Sequence, residues 1–141
     1  MTELELQARV ADYLRLQYPG VIFHSDFGSG VKLTPGQAVR QKRLNGGRRA
    51  WPDMFVAEPV PRCIDGSWKH EWHGLFLELK REGVRIYKKN GELVANQHIR
   101  EQAEVLRQLR KRGYSAEFTR GFDAAKRLID EYLGEKGAGM G

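Results

Sequence analysis

Leu6, Val10, Tyr13 and Leu14, with Gln17, recur at the spacing of one helical face and predict an amphipathic helix over residues 3–18. Thr2 can cap it, Glu5 stands three residues later as in a capping box, and Tyr18-Pro19-Gly20 ends it. Val21 to His24 is a short apolar run between Gly20 and Ser25-Asp26, which predicts a strand, and Phe27 to Gly30 reads as a loop. Thr34-Pro35 opens a short basic helix from about Pro35 to Leu44, with Ala38, Val39 and Leu44 as its few apolar residues; Asn45-Gly46-Gly47 turns out of it. Two buried strands follow, Trp51 to Val56 and Leu75 to Lys80. Between them, residues 58–73 read as two strand extensions joined by a loop. Residues 81–93, with the turn signal Lys88-Lys89-Asn90-Gly91, predict a hairpin or loop. Asn96 caps a helix over 97–112 with the stripe Ile99, Ala103, Leu106 and Leu109, and Gly113 closes it. Tyr114 to Thr119 alternates like a strand, and Phe122, Ala125, Leu128, Ile129 and Tyr132 mark a last helix up to Leu133. The order predicts an α/β fold, a central mixed β-sheet flanked by helices, in a single domain over residues 1–134 with a flexible glycine-rich tail at 135–141.

Composition narrows this a little. Hydrophobic content of 40% and charged content of 30% are those of a soluble globular chain. No apolar run approaches the ~20 residues of a membrane span, and the acidic start Met1-Thr2-Glu3-Leu4-Glu5 lacks the order of a secretion signal. The single cysteine, Cys63, allows no internal disulfide, so a cytoplasmic location is the expectation.

Charge placement changes the picture more. The net charge is +6, from 24 basic and 18 acidic residues. From Phe27 to Pro52 there are six basic residues, Lys32, Arg40, Lys42, Arg43, Arg48 and Arg49, and no acidic one. The whole excess therefore precedes Asp53. Such a cluster is either a solvated basic loop or the footprint of a polyanion.

The candidate chemistry lies in the two central strands. Side chains alternate along a strand, so Phe76, Glu78 and Lys80 share one face and Leu75, Leu77 and Leu79 the other. A carboxylate and an ammonium on a buried strand are costly unless paired or bound to a metal. Asp53 at the start of a neighbouring strand would supply a second carboxylate, and two carboxylates can hold a hard divalent cation. A plain surface pair of Glu78 with Lys80 is the competing reading. Glu3 and Glu5 both suit the positive end of the first helix, and one of them can face the site as a third carboxylate. His24 and Asp26 end the first strand and are further candidates. Trp51 fits plain core packing as well as bracing of the Asp53 strand. Gln102, one turn before Leu106, needs a buried partner, either backbone or the site itself. Cys63, His70 and His73 lack zinc-site spacing and a fourth ligand, and His70-Glu71-Trp72-His73 is not His-Glu-x-x-His, so zinc is not expected.

With Pro52-Asp53 and Glu78-Leu79-Lys80 on consecutive central strands, the chain resembles the PD-(D/E)xK nuclease superfamily, whose core is restriction-endonuclease-like. Gln102 followed by Leu106, Leu109 and Gly113-Tyr114, and the opening Glu3-Leu4-Glu5-Leu6-Gln7, resemble its VRR-NUC family, especially the small stand-alone phage and bacterial members. The resemblance spans about residues 1–134. It implies a metal-dependent DNA endonuclease, structure-selective or weakly sequence-selective, using Mg²⁺ or Mn²⁺, often as a homodimer, in the host cytoplasm if phage-encoded, with no organic cofactor and no membrane. By position it implies metal ligands at Glu3, Asp53, Glu78 and the Leu79 carbonyl, a catalytic Lys80, and Gln102 beside the site. The stretch between Asp53 and Glu78 and the loop at 81–93 are longer than in the shorter members. A catalytically silent nucleic-acid-binding module on the same fold is the alternative.

Overall fold

A computed structural model of the chain describes residues 1–26, 32–48 and 50–140, with side chains described through residue 134. The elements are α1 (Glu3–Gln17), β1 (Phe23–Ser25), α2 (Pro35–Leu44), β2 (Met54–Val56), β3 (Val60–Ile64), β4 (Ser67–Trp72), β5 (Leu75–Lys80), α3 (Gln97–Lys111), β6 (Ser115–Arg120) and α4 (Phe122–Met140). A four-stranded sheet runs β1-β2-β5-β6. Its first two pairings are antiparallel; β5 and β6 are parallel, with α3 as the crossover between them. The sheet is mixed and flanked by helices, as the residue pattern predicts.

Local signals account for most boundaries. Thr2 and Glu5 form a reciprocal capping box on α1, and Thr34 and Gln37 form another on α2, where Pro35 stands at the first position. Asn96 caps α3 through a bond from the Ile99 amide, and Gly113 follows that helix with φ +94. The loop at 81–93 folds back on itself through a bridge between Tyr87 and Leu93.

Three expectations change. The first strand starts at Phe23 rather than Val21, because the Val21 amide is spent in the turn, on the Tyr18 carbonyl. Residues 58–73 do not extend β2 and β5. They make a separate two-stranded sheet, β3 and β4, closed by Asp65 and Gly66, both at positive φ. Val60 anchors it in the core, and the Tyr132 hydroxyl of α4 donates to the Glu58 carbonyl. Helix α4 runs through Met140, past Leu133, where the apolar spacing ends. The expected loop at Phe27 to Gly30 lies outside the described residues.

Two cores sit on opposite faces of the sheet. On one, Leu75, Leu77 and Leu79 meet Leu6, Val10 and Leu14 of α1 and Ala125, Ile129 and Tyr132 of α4. A polar staple at their edge has Tyr13 and Tyr18 both donating to Asp130, which also takes a bond from Lys126. On the other face, Phe76 packs with Leu106 of α3 and Ala116 of β6, beside Phe55, Leu109, Tyr114 and Phe118. α2 belongs to neither core. It has no buried residue, and Val39 and Leu44 are 70% and 78% exposed. Both of its ends are capped, by Thr34 and Asn45. Among the described residues no helix is long and apolar enough to cross a membrane.

Candidate active site

The site forms where β2 begins and β5 ends. The β2–β5 register pairs Met54 with Leu77 and Phe55 with Phe76, and its continuation by one residue sets Asp53 opposite Glu78. By alternation Asp53 shares the α3-side face with Phe55, Glu78 and Lys80. All six residues of β5 are buried; Glu78 is 2% exposed and Lys80 5%.

The Leu79 amide donates to Asp53 Oδ2 at 2.7 Å, so it points toward β2. A strand residue's carbonyl points to the same neighbour as its amide. The register places Pro52 there, and a proline has no N–H to offer. The Leu79 carbonyl therefore gets no ladder bond from that position. The Leu79 side chain, by contrast, lies in the core beneath α1 and α4.

Gln102 Nε2 donates to Glu78 Oε1 at 2.8 Å and lies 3.2 Å from Nε2 of His98. Glu78 Oε2 and Gln102 Oε1 are buried without a hydrogen-bond donor. Burial pushes the Glu78 carboxyl well above the ordinary carboxylate range. The charge of Asp53 and a hydrogen bond shared with it push the same way, Lys80 pulls against them, and Glu3 adds to the rise. The hydrogen bond with Asp53 requires a proton between the two acids; with both ionised, Oε2 has no donor.

An open cleft of ≈ 630 Å³ leads to these groups. Glu3, Asp26, Trp51, Asp53, Glu78, Lys80, His98 and Gln102 line it, as do the exposed Lys42 and Arg48. Glu3 is the acid of α1 at the cleft, because Glu5 is held in the capping box, its Oε2 taking the Thr2 amide at 3.0 Å. Gln7, one turn after Glu3, donates to the Asp26 carbonyl at 2.9 Å and ties the start of α1 to the end of β1. The Asp26 amide in turn donates to the Asp53 carbonyl at 2.8 Å.

The structure thus gathers Glu3, Asp53, Glu78, Lys80, Gln102 and, among the basic residues, Lys42 and Arg48 around one cleft. Lys32, Arg40 and Arg43 are exposed and are not among its lining residues. Arg49 lies outside the described residues. His24 is exposed and Cys63 is exposed on β3. His98 escaped the sequence reading. Its signal was present, four residues before Gln102 and so on the same helical face.

Among the described residues no group of three or more His, Cys, Asp or Glu is arranged as a metal cage. A close pair of carboxylates remains, Asp53 with Glu78. One or two carboxylates are what a magnesium-like ion takes from a protein, filling its shell with water and substrate oxygens. The oxygen-only donors, the buried Glu78 Oε2 without a donor and the excess negative charge around it all fit such an ion.

The fold is similar to that of a solved VRR_NUC domain protein, with a TM-score of 0.57 and 22% sequence identity, over 96% of this chain and 90% of that one. At that identity the likeness establishes the fold: a restriction-endonuclease-like mixed sheet flanked by helices. No family model matches the chain. No curated protein does either.

Proposed function

We propose that this protein is a metal-dependent nuclease that hydrolyses phosphodiester bonds in DNA. One observation carries the reading. Asp53 and Glu78 face each other across β2 and β5, Lys80 follows on the same face, and a carboxylate oxygen is buried there without a donor, at a cleft that Lys42 and Arg48 also line. A structural ion pair would satisfy its own polar atoms. This site leaves them for something that enters, and the VRR_NUC likeness of the fold agrees.

Mg²⁺ or Mn²⁺ would be held by Asp53 and Glu78, with Glu3 and the Leu79 carbonyl as further oxygen donors. The cation supplies charge neutralisation at the scissile phosphate. The chain's own groups do the rest. Gln102 fixes the orientation of the Glu78 carboxylate. The Lys80 ammonium orients the attacking water and stabilises the charge that builds on phosphorus. Lys42 and Arg48 hold the phosphate backbone, contacts that carry no sequence information. Homodimerisation, implied by the sequence resemblance, belongs to the same proposal.

The test is nicking of supercoiled and branched DNA with Mg²⁺ or Mn²⁺, beside EDTA and Lys80→Ala. Cleavage should need the cation and fall on the order of 10²- to 10³-fold in the variant, as when one group that stabilises transition-state charge is removed. Full activity of Lys80→Ala, or DNA binding without cleavage under either metal, would sink the reading.

A further inference from the structure

Trp51 lines the cleft, and the proposed chemistry gives it no role. Its neighbours Ala50 and Pro52 are buried, yet Trp51 itself is 40% exposed and lines the cleft two residues before Asp53. The indole is braced from behind. Its ring stands at 82° to Phe76, with centroids 5.4 Å apart. Phe76 in turn stacks on Phe55 at 4.4 Å and meets Tyr114 edge-on at 5.2 Å. The backbone is thus pinned on both sides, and an aromatic cluster sets the ring's direction, while part of its surface stays open beside Lys42 and Arg48.

A large aromatic left in water is unfavourable unless something covers it. Lys42 and Arg48 on the cleft suit a polyanion, and the parts of a nucleic acid that can cover an indole are its base faces. In a duplex those faces are stacked on one another, and only edges and phosphates are presented. An unpaired base has a free face.

We propose that Trp51 is a stacking platform for an unpaired nucleobase next to the scissile phosphate, which makes the substrate class single-stranded or locally unpaired nucleic acid, as at a flap or branch point. This rests on the nuclease reading for the word scissile. The stacking itself does not depend on catalysis, and it deepens the expected structure-selectivity into a contact.

The test is binding in EDTA, where nothing is cut. Tryptophan emission and affinity are followed with a short oligothymidylate and with a relaxed closed-circular duplex, which has neither ends nor loops, for wild type, Trp51→Phe and Trp51→Ala. Oligothymidylate should quench wild-type emission. Trp51→Ala should bind it roughly 10- to 100-fold more weakly, the loss expected of one base stack. Trp51→Phe should keep most of the affinity, and duplex binding should change by less than about 2-fold in either variant, since a duplex offers that ring no base face. Equal losses on both probes would make Trp51 a brace for the Asp53 strand and overturn the proposal, as would unchanged oligothymidylate binding by Trp51→Ala or failure of the wild type to bind oligothymidylate. Quenching by oligothymidylate without metal-dependent cleavage would leave the platform standing and remove the nuclease.

Discussion

The two faces of β5 are built from one six-residue strand, and all six residues are buried. On the face beneath α1 and α4, Leu75, Leu77 and Leu79 sit in one hydrophobic cluster. Each leucine removed from water there stabilises the fold by about 1.5–3 kcal/mol. On the α3 face only Phe76 behaves that way. Glu78 and Lys80 are equally shielded, yet half of the Glu78 carboxylate has no donor and its charge is crowded by Asp53. Burying such a charge costs stability. One face makes the fold, and the other gives up part of that stability to hold two carboxylates and an ammonium side by side.

Breaking the first face should have the largest effect on the fold. Leu77→Ala should cost about 2–5 kcal/mol in chemical denaturation, through lost burial and the cavity left behind. A cost under about 1 kcal/mol would show that the leucine face is not where stability is held. Next comes a change on the α3 face that removes a positioning contact. Gln102→Ala should weaken divalent-cation affinity or turnover by about 10- to 100-fold, as removal of a partner that orients a ligating group does. Gln108, half-buried on the same helix and not among the residues that line the cleft, serves as the control, and an equal effect of Gln108→Ala would remove the special status of Gln102.

The smallest change sharpens the contrast because it should stabilise. The Glu78 carboxyl has a raised pKa in the folded chain, so as pH rises the unfolded chain loses this proton first. Wild-type stability falls between the ordinary glutamate pKa and the raised one, and stays lowered above it. Glu78→Gln removes that loss. In EDTA at neutral pH the variant should be more stable by about 1 kcal/mol, while its activity disappears, the trade-off expected where a site is strained for function. The gain should vanish below about pH 4, where the acid is protonated in both states. Thermal melts in EDTA across this range check it, and a gain that persists in acid would assign the effect to packing.

The helices were legible because their signals are local. Thr2 with Glu5 and Thr34 with Pro35 and Gln37 specify two helix starts by hydrogen bonds three residues apart, and both are made. The alternation of β5 was legible for the same reason. The hairpin of β3 and β4 was not, because a strand's residues do not state which partner they pair with. Nor did the apolar residues of α2 reveal that Val39 and Leu44 stay exposed among the described residues: a helical period says which face is apolar, not whether a neighbour arrives.

By itself the sequence determined the order of elements, the sharing of one face by Glu78 and Lys80, and the concentration of excess positive charge before Asp53. These follow from period, capping and composition, which act over a few residues. Only the tertiary structure decided that Asp53 faces Glu78, that Gln7 ties the start of α1 to the end of β1, that Glu3 lines the cleft, that Gln102 meets Glu78 and His98, and that Trp51 stays half open. Each of these depends on strand register or helix docking, where residues far apart in the chain meet and one residue of slip would turn every side chain to the other face.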